Sequence, residues 1–200
     1  MDEITVVSFI VIGAALLLPV LSEILEEHHR LLKYIKYLIF AVYLFANLYE
    51  TLLFRTITPK SKCELDFLWS YREALNIRQS GGLRILITNR WLLKEIILNI
   101  LLYIPLGCLL PFMRPALARK RPKPVGAKPL RRRYYIFPWK VVLIGFFYSI
   151  ATETLQMVFR VGLFELDDIF DNTVGCVIGA MIYSELLRRH ARRHEERPDP

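Results

Sequence analysis

Residues 141–159 read VVLIGFFYSIATETLQMVF, nineteen positions with one acidic and no basic side chain, Glu153. A helix rises about 1.5 Å per residue, so this run is long enough to cross the hydrocarbon of a bilayer. Four other runs of similar character accompany it, at 4–22, 35–54, 91–113 and 168–187. The whole chain of 200 residues is 54% apolar without counting glycine, too oily for an ordinary soluble domain. In lipid every backbone polar group must be satisfied within the protein, and long apolar runs satisfy this as helices. The sequence therefore predicts an all-α, polytopic integral membrane bundle of about five transmembrane helices. The first run follows Met-Asp-Glu, without the basic start or small-residue cleavage site of a secretory signal, and is expected to be a retained span.

The formal charge of +8 is concentrated in one place: residues 114–140 carry ten Lys and Arg and no Asp or Glu. A basic surface confined to a loop between two spans fits membrane topology and argues against nucleic acid as a partner. With the amino terminus outside, eighteen Lys and Arg fall on the inner face and eight on the outer, and Lys94 lies inside a span. Basic residues in short loops stay in the cytoplasm, so the expected orientation is amino terminus out and carboxyl terminus in. On this scheme residues 1–34 hold the first span and a short inner loop, 35–187 the main transmembrane domain, and 188–200 a basic cytoplasmic tail. The loop at 114–140, interrupted by Pro115, Pro122, Pro124, Pro129 and Pro138, is expected to lie against anionic membrane lipids. The outer segment 55–90 contains Phe67, Leu68, Trp69, Tyr71, Leu75 and a Gly81-Gly82 turn, enough for a short interfacial helix or lid. Cys108 and Cys176 lie in apolar runs and Cys63 in a polar loop, a distribution that indicates neither a disulfide framework nor a zinc site.

Ionisable groups at membrane depth are costly, so they are where function is sought. Ser149, Glu153, Gln156 and Arg160 are spaced 4, 3 and 4 apart, which at 3.6 residues per turn places them in one arc of roughly 60°. Asp168, Asp171, Asn172, Gly175 and Gly179 share one face of the fifth span, with Asp167 before it as a candidate N-cap. The connection at 161–166 is short, so the two polar ends must meet. Asn99, with Glu95 one turn above it, lies at matching depth in the third span, and Asn47 and Glu50 can complete the ring from the second. An outward-opening polar cavity among spans two to five would accommodate all of them. Gly175 and Gly179 form a G-x-x-x-G for close helix approach, and Pro105 with Gly107 predicts a kink in the third span.

Three stretches carry a resemblance: NILLYIPLGCLLP at 99–111, SIATETLQ at 149–156 and ELDDIFDNTVGCVIG at 165–179. Over about residues 40–187 the chain resembles the VanZ-like family of membrane proteins, named for a glycopeptide (teicoplanin) resistance protein. The resemblance implies a multi-pass protein of the bacterial plasma membrane, associated with the cell envelope and antibiotic resistance. The motif positions it marks are Asn99, Pro105, Gly107, Glu153, Gln156, Asp168, Asn172, Gly175 and Gly179; the first span and the basic loop lie outside it.

The candidate ligand-binding residues are thus Asn99, Glu153, Gln156, Arg160, Asp168, Asp171 and Asn172. In a binding site Arg160 would hold the phosphate or carboxylate of a lipid-linked or cell-wall-related ligand, or of a glycopeptide, while Glu153 and Asn99 take its neutral or amine portion. Against this stands a packing network closed by an Arg160–Asp168 ion pair, and as a third alternative an enzyme using Glu153 as general base on a headgroup. Asp167, Asp168 and Asp171 have the chemistry of a divalent site, but capping and ion pairing explain them as well, so no metal and no cofactor is expected. There is no G-x-S-x-G, phosphate-binding glycine loop or H-E-x-x-H, and His28, His29, His190 and His194 all fall on the inner face.

In a Cys63→Ser background, a membrane-impermeant thiol reagent added to intact cells should label a cysteine placed at Arg160 and spare one placed at Lys128. The reverse pattern would invert the orientation.

Overall fold

The computed structural model describes residues 13, 29–53, 57, 63–75, 89–113 and 138–196. Apart from helical Gly13, the first span lies outside the described residues, as do most of the basic loop, the Gly81-Gly82 turn and the four histidine side chains. Helix α1 (His29–Leu48) runs into a π-helical turn, Tyr49–Leu53. The outer segment contributes a two-residue strand β1 (Cys63–Glu64) and a short helix α2 (Trp69–Leu75). Helices α3 (Arg90–Met113) and α4 (Trp139–Phe159) follow, then β2 (Phe164–Glu165) and the long α5 (Leu166–Glu196).

The all-α bundle predicted from the apolar runs is what forms. Three helices, Tyr34–Leu53, Arg90–Pro111 and Trp139–Phe159, are long and apolar enough to cross a membrane. The fifth expected span is α5, whose aspartate-rich start and basic end make it the most polar of the four long helices. It continues nine residues beyond the predicted limit at 187. Helix-forming Arg, Glu and Ala carry it on, and exposed Glu185 pairs with Arg188 and Arg189 one turn ahead. Tyr34, Leu38, Val42 and Phe45 on α1 and Leu143, Phe147, Val158 and Phe159 on α4 are exposed, a helical stripe of large apolar side chains suited to lipid. Trp91 and Trp139 open α3 and α4 and are 76% and 53% exposed, each with a lysine, Lys94 or Lys140, over its ring. Aromatic and basic groups at helix starts are the usual anchors at the two membrane–water interfaces.

Helices α3 and α5 lie backbone to backbone. A Cβ added at Gly175 would overlap the Ile100 carbonyl oxygen, one at Gly179 the Ile104 carbonyl oxygen, and one at Gly107 the Cys176 carbonyl oxygen. The predicted G-x-x-x-G contact is thus a reciprocal glycine lock, with glycines from both helices. Lipid tails offer no hydrophobic drive for helix association, so such close van der Waals contact has to supply it. Helix α3 continues through Pro105 and Pro111. Pro105 cannot donate to the Leu101 carbonyl, and next to it the Tyr43 hydroxyl donates to the Leu102 carbonyl at 3.1 Å. Tyr43 belongs to the main core cluster with Tyr103, Leu106 and Leu109, which joins α1 to α3.

At one end of the bundle, β1 pairs in parallel with β2, Cys63 beside Phe164 and Glu64 beside Glu165. This ladder, which apolar periodicity gave no reason to expect, ties the segment after α1 to the α4–α5 connection. Asn89 caps α3 at the same end, its Oδ1 accepting the Trp91 and Leu92 N–H groups.

Gly179→Ala should lower thermal stability in detergent, by about 1–3 kcal/mol from over-packing against backbone. Gly145→Ala, whose added methyl meets side chains, Cys176 and at 3.8 Å Leu106, and no backbone, should cost less. Thermal midpoints from size-exclusion chromatography of heated samples would check the order; equal midpoints would contradict the lock.

Candidate functional site: a buried polar seam

The polar stripe of α4 faces inward. Ser149, Glu153 and Gln156 are 0%, 2% and 1% exposed. Asn172 on α5 meets this stripe, its Nδ2 donating to Ser149 Oγ at 2.9 Å. On the other side, Gln156 Nε2 donates to the Thr51 carbonyl at 3.1 Å, inside the π turn that ends the α1 span. A π turn disrupts the regular helical hydrogen-bond ladder, and such turns recur at functional sites. Tyr148 donates its hydroxyl to Asn47 Oδ1 at 2.9 Å, so α4 bonds to both α1 and α5 through side chains of the same two turns. Glu153 lies between, with Oε2 accepting the Glu165 N–H at 3.4 Å. The α4 stripe, Asn47 and Asn172 thus meet, but these side chains are enclosed, where the expected outward-opening cavity would leave them wet.

Three of the amides are half-satisfied. Asn47 Nδ2, Gln156 Oε1 and Asn172 Oδ1 are buried with no hydrogen-bond partner. Leaving a buried polar group unpaired costs roughly 1–3 kcal/mol, so three in one seam need a reason.

The starting turn of α5 is roofed by α2. Leu68, in the left-handed region at φ 62°, turns the chain so that the N–H groups of Leu68 and Ser70 both point at the Asp167 carboxylate, the latter at 2.9 Å; Ser70 Oγ donates to it too. Successive N–H groups converging in this way make an anion nest. Asp167 was expected to cap its own helix. Instead α5 begins at Leu166, and Asp167 caps α2, 97 residues away in sequence from Ser70. Tyr71 donates its hydroxyl to Asp171. Burial, with the Asp171 carboxylate next, pushes the Tyr71 phenol above its ordinary range, so it stays a donor at physiological pH. Phe170 stacks edge-on against Phe67 and Tyr71, completing the joint.

The profile of the VanZ/LLP1 family matches residues 34–188. The chain belongs to this family. No curated protein and no solved structure matches it. In this VanZ-like chain the motif positions divide cleanly by task. Gly107, Gly175 and Gly179 make the α3–α5 lock. Glu153, Gln156 and Asn172 line the seam, and Asn99 spans α3 to α5 by donating Nδ2 to Asp168 Oδ1 at 2.7 Å.

Of the predicted site residues, Glu153, Gln156, Asp171 and Asn172 are buried, Asn99 and Asp168 half-buried at the rim, and Arg160 exposed. Arg160 adopts the left-handed conformation that closes α4, at φ 59°, with its N–H turned back to the Gln156 and Met157 carbonyls. Glu95 is exposed, outside the seam that Asn47 does join. Ser70, Tyr71, Thr51 and Tyr148 were not anticipated as partners. Hydroxyls with no spacing pattern give no warning of a contact; the one available signal was the polar S-Y-R-E run beginning at Ser70 beside Trp69.

Asp167→Ala should free α2 from the start of α5, with a loss of about 1–3 kcal/mol for charged hydrogen bonds removed from a buried site. Limited proteolysis should cut the 63–75 segment faster in this variant than in the parent; an unchanged cleavage rate would contradict the joint.

Proposed function

We propose that this VanZ-like chain is a multi-pass protein of the bacterial plasma membrane that binds a polar lipid-linked or cell-wall-related ligand at the polar end of its bundle. Its link would be to the cell envelope and to glycopeptide (teicoplanin) tolerance. The observation carrying this reading is the set of unpaired amide atoms around buried Glu153. A seam built only for packing would gain by replacing them with apolar side chains, because half-satisfied polar groups are worse than an apolar core. The family resemblance points to the envelope, and the distribution of Lys and Arg supports an outward-facing polar end.

Arg160 stands at the edge of the seam, exposed and one turn from Gln156. Its planar guanidinium suits a phosphate or carboxylate, which would anchor a headgroup there while the remainder reaches inward. Glu153→Gln and Arg160→Ala, each at unchanged membrane level, should return glycopeptide tolerance to that of cells lacking the protein. Undiminished tolerance in both variants would overturn the reading.

A further inference from the structure

The end of the bundle away from the Asp167 joint holds a cavity of about 740 Å³, and among the described residues its wall is α5 alone, from Val177 to Arg189. That volume is in the range of small-molecule pockets, about 300–1,000 Å³. The lining changes character along the helix. Val177, Met181 and Ile182 make an apolar stretch, in which Met181 is 58% exposed, and Glu185, Arg188 and Arg189 make a charged one. All six fall within an arc of about 140° around α5. The pairing of α4 with α5 sets the depth of this change. Asn172 meets Ser149, and four residues further on Cys176 meets Gly145, where an added Cβ would strike its Sγ. Carried six residues further, the same antiparallel register brings Ile182 about level with Trp139, the exposed interfacial anchor at the start of α4. The apolar stretch thus lies at hydrocarbon depth, and Arg188 and Arg189 stand about 9–11 Å beyond the anchor. Side chains of a helix lean toward its N-terminus, here back toward the membrane, so both guanidinium groups reach the phosphate layer.

Glu185 orders the two arginines without exhausting them. Its Oε1 accepts Arg189 Nε–H at 3.1 Å, and its Oε2 stands 3.8 Å from Arg188 Nη1, beyond hydrogen-bond length. A guanidinium carries five N–H donors, and exposed ion pairs such as these are weak enough to be shared with a ligand. Two arginines against one carboxylate leave a single net positive charge, the complement of one phosphodiester. We propose that this cavity binds one anionic diacylphospholipid of the phosphatidylglycerol type, with an acyl chain along Val177, Met181 and Ile182 and the phosphate on Arg188 and Arg189. The change from apolar to cationic lining coincides with the boundary between hydrocarbon and phosphate, which is where a lipid makes its own change. The flexible thioether of Met181 adapts to a chain of methylenes, and guanidinium forks match phosphate oxygens. Ethanolamine and choline headgroups carry the same phosphate with a cation that cancels its charge and repels the arginines. The site shares no residue with the polar seam, so its fate leaves the reading of the seam untouched.

The test uses the full chain, purified, delipidated and examined by native mass spectrometry with equimolar phosphatidylglycerol, phosphatidylethanolamine and phosphatidylcholine. Retention of one phosphatidylglycerol per chain, preferred over the two zwitterionic lipids by on the order of tenfold, supports the proposal. The preference should vanish in the double variant Arg188→Gln, Arg189→Gln, whose exposed side chains can change without unfolding the bundle. It should persist in Arg131→Gln, Arg132→Gln, which removes the same charge from the basic loop. Met181→Trp, which fills the place of the acyl chain, should lower retention of phosphatidylglycerol several-fold. The comparison among lipids on the parent protein decides the matter even where a variant does not fold. Equal retention of the three lipids would overturn the proposal, and so would an equal loss of preference in the two arginine double variants, which would assign the attraction to basic charge at large. No retention of any lipid would overturn it as well; a dimer that Met181→Trp dissociates, or a thermal midpoint that it lowers, would then identify a second copy or another segment of the chain as the cover of this cavity.

Discussion

The bundle depends on the approach of two backbones. Gly175 and Gly179 on α5 rest on the Ile100 and Ile104 carbonyls of α3, and Gly107 of α3 rests on the Cys176 carbonyl. No larger side chain fits at these points without separating the helices. In lipid, where apolar surface gains nothing by leaving the solvent, that contact does what core burial does in water. It also sets the depth of everything attached to α5, including the aspartates of its starting turn and the Asn172 that meets α4.

From the lock the polar end follows. Asn99, two turns before Gly107 on α3, reaches Asp168; Asn172, one turn before Cys176, reaches Ser149. Helix α4 then has its remaining polar face toward α1, where the π turn offers the Thr51 carbonyl to Gln156. Above this, the Asp167 nest and the β1–β2 pair fasten the segment around α2 to the same end. Groups that are fully paired, such as Asp167 with Leu68 and Ser70, hold the fold; the idle amide atoms of Asn47, Gln156 and Asn172 are what the proposed binding role rests on.

Much of this was legible in the sequence because it repeats at helical period. Apolar runs mark the spans at 34–53, 90–111 and 139–159 to within two residues, the 4-3-4 spacing from Ser149 marks the inward face of α4 as far as Gln156, and G-x-x-x-G marks the close face of α5. What escaped was aperiodic. Asp167 reads locally as a cap for the helix it precedes, and nothing within a window of a few turns reveals that the nest formed at Leu68 competes for it. Tyr71, the two-residue ladder and the π turn depend on contacts between segments about a hundred residues apart, which no spacing rule encodes. The same limit applies to Arg160: its place in the stripe is periodic, but the helix ends there in a left-handed residue and the side chain turns outward.

A polar seam shared by three helices and positioned by a glycine lock is the core of this account. Thiol cross-linking in intact membranes tests it most directly, with cysteine pairs at Ser149 and Asn172 and at Asn99 and Asp168. Both pairs should be bridged rapidly by a short bifunctional thiol reagent, and bridging should fall when Gly179 is enlarged to leucine. Pairs that stay unbridged in otherwise folded protein, or bridging indifferent to that enlargement, would contradict it.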